Sequence, residues 1–382
     1  MTAIHLRDPW VKMLQTRLLK KILNKIRPAK RESSANPHEN PNWPRVAIAA
    51  NVILGTYPDL IAFAESSLTE KELEFFNEVL LVMLSRLNFS DPEKQRKLFE
   101  KAEYYGMHIL PVHFYSPIPS RNEIASVPIQ RKFDHVPNLA ISRLELSELM
   151  KQLVPYFSEL SDLPVNSTPE SGDEFYWTNS TFGPIDVCLY YSLIRFLKPD
   201  RVVEIGGGFS TLIALKALKK NQTGKLQCIE PFPAPMLKKL HQEGSIDLII
   251  DKVQSTSLEV FSSLKTNDIL FVDSSHVSKF GSDVNFEVFY ILPNLQKGVW
   301  AHFHDIFYPS DYPRRWVEDL RLFWNEQYLV LAFLAFNSNF RIRMPNHFLA
   351  QEMKDHIEPH LPYINQSQIK SEVGGSLWIE RI

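Results

Sequence analysis

The stretch that decides the fold is RVVEIGGGFSTLIALKAL, from Arg201 to Leu218. A β-branched run ending in an acid is followed by three consecutive glycines and then by an apolar pattern with helical spacing. The chain has 13 glycines in 382 residues, so three adjacent ones are unusual. Because glycine permits tight turns and close approach of a ligand to the backbone, the stretch predicts a strand, a ligand-binding loop and a helix.

The segments around this unit alternate between short apolar strands and helices. We expect helices to begin near Ser210, Pro235, Ser257, Asp283 and Pro313, after the helix VCLYYSLIRFL that starts at residue 187. The predicted strands after RVVEI are KLQCIE, IDLII, DILFVD, GVWAHFHD, YLVLAFLAF and finally GGSLWIERI. Alternation of this kind predicts a doubly wound α/β fold, with a parallel sheet covered by helices on both faces.

The glycines fit one nucleotide-binding pattern better than another. The dinucleotide fingerprint G-x-G-x-x-G is met at Gly206 and Gly208, but Thr211 occupies its third glycine position. The pattern E-x-G-x-G-x-S/T is complete, with Glu204 before the glycines and Ser210 after them. This resembles motif I of the class I S-adenosylmethionine (SAM)-dependent methyltransferases. The resemblance implies a seven-stranded Rossmann-like sheet with an antiparallel last strand, a glycine loop under the cofactor's amino acid portion, and Glu204 near its amino group.

A second acid follows at the expected distance. Glu230 ends the strand LQCIE, 24 residues after Gly206, where a carboxylate can accept hydrogen bonds from both ribose hydroxyls. A carboxylate at this position also binds the ribose of NAD. Glu230 therefore indicates a nucleoside ligand but does not distinguish SAM from NAD. Asp251 and Gln254, after the third strand, are candidate adenine contacts.

The fourth and fifth predicted strands end in polar residues. Asp273 and His276 follow one, and His304 and Asp305 follow the other. Both ends should open on the side of the glycine loop, because parallel strands end at the same edge of a sheet. Carboxylates with imidazole suit Mg²⁺ or Mn²⁺, and His276 could take a proton from a substrate hydroxyl. Alternatively, these residues cap helices or close buried hydrogen-bond networks, which is the role we expect for His302.

D-S-S-H followed by H-D one strand later resembles the metal-dependent O-methyltransferases that act on sugars of macrolide antibiotics. This likeness implies Asp273 and Asp305 as metal ligands and His276 as the base, with Asp273 also near the cofactor. His304 takes the place of a carboxylate, as a third metal ligand and catalytic candidate. Together with LPVHFYSPIP and NSTFGPIDVCLYYSLIRFLKP, which resemble stretches ahead of the core in a bacterial class I group, the likeness covers roughly residues 104–382.

The remaining chain predicts a three-part organisation. Residues 1–45 read as a basic amphipathic helix and linker, which either packs on protein or contacts an anionic membrane surface. Residues 46–185 read as a helical region with two irregular loops, and residues 186–382 as the methyltransferase core. The loop aromatics either form a lid over the site or anchor the loops to the core. They are His113, Phe114, Tyr115, Tyr176, Trp177 and Phe182.

Composition narrows the function classes. The net charge of −2 argues against nucleic acid as the main partner, and two cysteines, Cys188 and Cys228, indicate a reduced, cytoplasmic setting. We expect no secretory signal and no membrane span, and the oligomeric state is left open.

The favoured function is SAM-dependent O-methylation of a sugar or another diol-bearing small molecule, with Mg²⁺ or Mn²⁺ as an added expectation. An NAD-linked oxidoreductase is disfavoured by Thr211 and by the lack of a Tyr-x-x-x-Lys pair near the strand ends. A nucleoside-binding scaffold without turnover is the third alternative.

Overall fold

The computed structural model describes residues 91–104, 106–128, 132–133, 135–167, 174–363 and 374–382, and the single positions 70, 77, 81 and 84. The predicted basic helix and linker at 1–45 lie outside the described residues, as do residues 46–90 of the predicted helical region apart from the four single positions. The chain divides into two compact units, Met1–Pro117 and Ile118–Ile382. None of the described helices is long and apolar enough to cross a bilayer.

The first unit contains helix α1, Pro92–Tyr104. Asp91 caps it, because its carboxylate accepts the backbone N–H groups of Glu93 and Lys94 at 3.1 and 3.2 Å. Beyond the helix, the rings of His113, Phe114 and Tyr115 contact one another. Phe114 and Tyr115 are strongly exposed.

The second unit is built on a seven-stranded sheet in the order β3-β2-β1-β4-β5-β7-β6. Strands β1 to β5 are parallel, and β7 is antiparallel to both of its neighbours, β5 and β6. This confirms the predicted fold class, including the antiparallel last strand. The strands are β1 Arg201–Ile205, β2 Lys225–Ile229, β3 Asp247–Ile249, β4 Ile269–Val272, β5 Trp300–His304, β6 Phe340–Pro345 and β7 Ser376–Arg381.

Helices cover both faces of this sheet. They are α2 Arg121–Ser126, α3 Arg143–Leu153, α4 Pro184–Leu197, α5 Phe209–Asn221, α6 Pro235–Gln242, α7 Glu259–Ser262, α8 Asp283–Phe286, α9 Arg314–Glu318, α10 Glu326–Leu334 and α11 Asn346–Glu352. Val202 and Glu204 of β1 face α4 and α5, whereas Val203 and Ile205 point into the hydrophobic cluster on the other face. The side-chain alternation of each strand therefore decides which residues reach each layer.

One predicted strand is wrong. YLVLAFLAF forms helix α10, and β6 is instead FRIRMP, Phe340–Pro345. A short apolar run fits a buried helix as well as a strand, and Val330 and Leu334 of α10 are buried in the cluster on one face of the sheet. The true strand was hidden by Arg341 and Arg343, whose side chains pair with Glu145 and Glu380.

The segment ahead of the predicted core packs against the sheet, and the predicted boundary at residue 186 stays a prediction. Residues 118–185 belong to the same unit as the sheet. Leu146, Met150 and Leu153 of α3, followed by Phe157, are buried in the core cluster that contains α4 and α5. Burying each such side chain stabilises the fold by roughly 1.5–3 kcal/mol, so this segment adds to the hydrophobic core of the sheet unit.

Candidate active site

The glycine loop connects β1 to α5 at the carboxyl edge of the sheet. Gly206 has φ +82°, and a Cβ atom there would lie 2.0 Å from the carbonyl oxygen of Asp273. Asp273 also donates its backbone N–H to the carbonyl of Ile205 at 2.9 Å. Position 206 therefore requires glycine, because any side chain there would collide with the backbone of Asp273 at the end of the neighbouring strand.

The next two glycines have different surroundings. A Cβ atom on Gly207 would lie 3.0 Å from Leu237 of α6. Gly208 has extended backbone, and a Cβ atom there would meet no atom within 4 Å. Gly208 is therefore the glycine of the three that leaves free space beside the loop, which is where a ligand would lie.

Glu204 supports this loop from beneath. Its carboxylate is fully buried and accepts hydrogen bonds from the hydroxyls of Thr211 at 2.6 Å and Tyr190 at 2.9 Å, and a longer one from the thiol of Cys228 at 3.5 Å. The Thr211 oxygen in turn accepts the backbone N–H of Gly208 at 3.1 Å. Burial raises the pKa of Glu204 to about 7, although these hydrogen bonds oppose the shift.

This network fixes the direction of the Glu204 side chain, and its predicted contact with the cofactor stays a prediction. Glu204 points into the layer between β1 and helices α4 and α5 and not across the glycine loop, because its side chain lies on the Val202 face of the strand. Thr211, which breaks the dinucleotide fingerprint, is the residue that joins the loop to Glu204.

A cavity of about 470 Å³ lies against the loop and the first turn of α5. This volume is within the range of small-molecule and cofactor sites. Three predicted cofactor residues form part of its wall: Gly208, Ser210 and Asp273. The other wall residues are Glu174, Tyr176, Thr181, Phe182, Gly207, Phe209, Ala234, Pro235 and Met236.

The predicted loop aromatics separate into two roles. Tyr176 and Phe182 line the cavity, and Tyr176 packs edge-on against Phe209 with ring centroids 5.2 Å apart. Trp177 is buried and contacts Tyr363 at 4.8 Å between centroids, so it anchors its loop to the core. His113, Phe114 and Tyr115 belong to the first unit, and their predicted role stays a prediction.

The other predicted nucleoside contacts stand outside that set of wall residues. Glu230 follows β2 and is partly exposed, with one carboxylate oxygen accepting the backbone N–H of Phe232 at 2.8 Å. Asp251 is exposed after β3, and Gln254 donates to the carbonyl of Gly281 at 3.1 Å. Their contacts with a nucleoside stay predictions.

The polar strand ends come together as expected. Nε2 of His276 lies 3.3 Å from a carboxylate oxygen of Asp273 and 3.7 Å from one of Asp305. His276 and Asp305 both have positive φ, +58° and +55°. Such conformations are uncommon for residues other than glycine and concentrate at functional sites.

The two histidines of β5 differ. Nε2 of His304 is 3.6 Å from Asp305, and its Nδ1 is 3.2 Å from the hydroxyl of Ser376 on β7. His302 is buried, with its ring stacked on Phe271 at 3.9 Å between centroids. Burial strongly lowers the pKa of His302, which agrees with the structural role expected for it.

One polar residue of the cluster was missed from the sequence. Glu326, in the first turn of α10, lies 2.8 Å from Nδ1 of His276, although it follows His276 by 50 residues. The segment around it was predicted as a strand, so nothing placed an acid at that helix start. The signal available in the sequence was an acid just before an apolar run, which is typical of the first turn of a helix.

The charges of the cluster shift its protonation. Burial lowers the pKa of His276, but hydrogen bonds to Asp273 and Glu326 outweigh it and raise the pKa well above the usual value. Burial raises the pKa of Asp305 to about 6, against the attraction of His304 and His276. The pKa of Asp305 is thus shifted toward neutral pH and that of His276 above it, and strongly shifted groups within one cleft are typical of functional sites.

The same geometry bears on the predicted metal ligands Asp273, Asp305 and His304. Among the described residues, no group of three or more His, Cys, Asp or Glu side chains is arranged to hold a metal ion. Nε2 of His276 is within 3.7 Å of carboxylate oxygens of both Asp273 and Asp305, so each predicted carboxylate ligand already contacts an imidazole nitrogen. The donor set as folded does not fit a metal, and we derive no step through one.

Comparisons with known proteins agree with this architecture. Residues 203–306, which run from β1 to just beyond β5, match the family described as "Methyltransferase domain". A protein of Archaeoglobus fulgidus, described as uncharacterized, is 32% identical over 168 residues, which cover 42% of this chain and 75% of that protein. The sheet order and the family match of residues 203–306 show that the chain belongs to the class I SAM-dependent methyltransferases. The NAD-linked alternative is not favoured.

Solved structures with a similar arrangement include two O-methyltransferases. TomG from Streptomyces achromogenes, in complex with SAM, is 14% identical with a TM-score of 0.31, covering 64% of this chain and 92% of that one. An O-methyltransferase from Bacillus cereus, in complex with S-adenosylhomocysteine (SAH), is 16% identical with a TM-score of 0.26, covering 53% and 84%. At these values, nothing about the substrate of this chain follows from them.

Proposed function

We propose that this methyltransferase transfers the methyl group of SAM to a hydroxyl oxygen of a small molecule, either a sugar or another compound with adjacent hydroxyls. The observation that carries this proposal is the position of Asp273. Asp273 lines the cavity beside the glycine loop, and its carboxylate contacts His276. A ligand in the cavity would therefore lie next to a histidine and two carboxylates that can bind and deprotonate a hydroxyl.

The cavity has the features that a cationic nucleoside requires. Gly208 leaves open space beside the backbone, and Ser210 adds a hydroxyl at the first turn of α5. Asp273 and Glu174 are two acidic residues of the wall, and their negative charges favour the positive charge of a sulfonium and an amino group. When bound, SAM supplies a methyl group on a positively charged sulfur, which leaves as a neutral thioether.

The roles of the protein side chains follow from the geometry. Asp273 and Asp305 accept hydrogen bonds from the acceptor and hold one hydroxyl against Nε2 of His276. His276 acts in the form that has lost its Nε2 proton, and because its pKa is raised this form gains population as the pH rises. Nε2 then takes the hydroxyl proton as the new oxygen–carbon bond forms and the sulfur–carbon bond breaks. Alignment supplies much of the rate, because the sulfonium is already a good leaving group. The predicted catalytic role of His304 becomes an orienting one toward Asp305.

Two titrations test the cofactor. SAH should bind in isothermal titration calorimetry, whereas NAD should give no heat. Gly208→Ala places a methyl group in the open space of the cavity and should weaken SAH binding at least tenfold. Binding of NAD without SAH would overturn the proposal.

Methyl transfer is tested with tritiated SAM and a panel of simple glycosides, with catechol as a non-sugar diol. His276→Gln should reduce transfer at least a hundredfold and leave SAH binding unchanged, because general acid–base catalysis contributes about 10²–10⁴-fold. His356→Gln, at an exposed histidine, is the matched control and should transfer at the wild-type rate. Transfer that persists in EDTA supports the metal-free assignment, and transfer restored by added Mg²⁺ alone would overturn it.

A further inference from the structure

The start of helix α10 and the residues just before it contact His276. Glu326 contacts Nδ1 at 2.8 Å. The backbone N–H groups of Asn325 and Glu326 donate to the carbonyl oxygen of His276 at 3.1 and 3.2 Å. The indole of Trp324 lies on the ring, with centroids 4.3 Å apart. Three consecutive residues therefore contact the nitrogen, the carbonyl and the face of one histidine.

Among the described residues, Glu326 has His276 as its one side-chain hydrogen-bond partner. Its side chain is 1% exposed, and its second carboxylate oxygen has no hydrogen-bond partner among the described residues. A buried carboxylate is costly unless a charged or hydrogen-bonding group compensates it. Here the compensating group is His276, so the two residues form a buried pair behind the reacting nitrogen.

We propose that Glu326 is a positioning residue, which holds Nδ1 of His276 as the hydrogen-bond donor and thereby presents Nε2 to the acceptor hydroxyl. The other ring nitrogen of a histidine is often fixed in this way by a carboxylate, which sets the tautomer and the ring orientation. Glu326 does not touch the cavity. This inference rests on the proposed function, and it names the device that aims the base.

The first test reads the imidazole directly and needs no acceptor. Full-length protein with ¹⁵N-labelled histidine has 12 ring systems, and His276→Gln identifies the resonances of His276. We expect a protonated Nδ1 in the wild type. Glu326→Gln should move this resonance, since a neutral acceptor replaces a charged one, and Glu326→Leu should shift it further toward the unprotonated value.

Glu259→Leu removes an exposed glutamate of α7 and is the control, which should leave the His276 resonances in place. SAH affinity should stay within twofold in the variants at Glu326, because this residue is not in the cavity wall. If Glu326→Leu fails to fold, Glu326→Gln decides the test by itself. His276 resonances identical to wild type in Glu326→Gln would overturn the proposal.

The second test is kinetic and uses the glycoside or catechol that accepts a methyl group in the panel above. Glu326→Gln should lower kcat about tenfold with KM for SAM unchanged, and it should cause no further loss when added to His276→Gln. If Glu326 had a purely structural role, Glu326→Gln would lower kcat by the same factor in the wild type and in His276→Gln. That result would contradict positioning. If nothing in the panel is methylated, the proposed acceptor class fails while the resonance test still decides the role of Glu326.

Discussion

Replacing Thr211 by valine tests whether one hydroxyl ties the glycine loop to the buried acid beneath it. Valine keeps the branched shape of a fully buried side chain and removes its oxygen. Glu204 then loses a hydrogen bond of 2.6 Å, and the N–H of Gly208 loses its acceptor at 3.1 Å. A hydrogen bond to a charged group contributes about 1.5–3 kcal/mol, and a neutral one about 1 kcal/mol.

We therefore expect Thr211→Val to lower the free energy of unfolding by about 3 kcal/mol at pH 8, where Glu204 is ionised. Thr211→Ser keeps the hydroxyl and should lose about 1 kcal/mol, the value of one buried methyl group. Urea unfolding measures both variants, and calorimetry with SAH should show weaker binding to the valine variant, because Gly208 lines the cavity.

The difference in unfolding free energy between the valine and serine variants separates the effect of the hydroxyl from that of packing. If valine and serine destabilise equally, the loss comes from packing and not from the hydroxyl. If valine matches wild type in both stability and SAH affinity, the network does not support the loop.

Three further predictions concern single positions. Gly206→Ala should lower the free energy of unfolding by at least about 2 kcal/mol in urea titrations, since the φ of +82° at this position and the carbonyl of Asp273 both oppose a side chain. The control is Gly208→Ala, at an open position, whose free energy of unfolding should stay within about 1 kcal/mol of wild type. The folded pKa of Glu204, about 7, lies above its usual 4.5, so the folded state binds more protons and wild-type stability should fall by up to about 3 kcal/mol as the pH rises through this window. Glu204→Gln lacks this slope, and parallel unfolding curves at pH 5 and pH 7.5 would contradict the assignment. His302→Phe should leave methyl transfer unchanged, because the ring packs on Phe271 away from the cavity wall; a transfer rate reduced tenfold or more would give His302 a functional role.

Local patterns were sufficient for much of the fold. The strand RVVEI, its glycine loop and the acid ends of the next strands are each visible within about ten residues, because strand composition, glycine and helix spacing are local properties. The convergence of Asp273, His276, His304 and Asp305 also followed from sequence, since parallel strands carry their ends to one edge.

Side-chain direction and distant partners depended on the tertiary structure. Glu204 matches a cofactor motif in sequence, but strand alternation turns it into the core, where Thr211 and Tyr190 bind it. The acid that holds His276 comes from 50 residues away, on a helix that sequence reasoning took for a strand. The sequence alone determined which strand ends meet. The alternation of strands and helices predicts parallel strands, and parallel strands end at the same edge of the sheet. Which side chains face each other across layers was decided only by packing, because that depends on contacts between segments far apart in the chain.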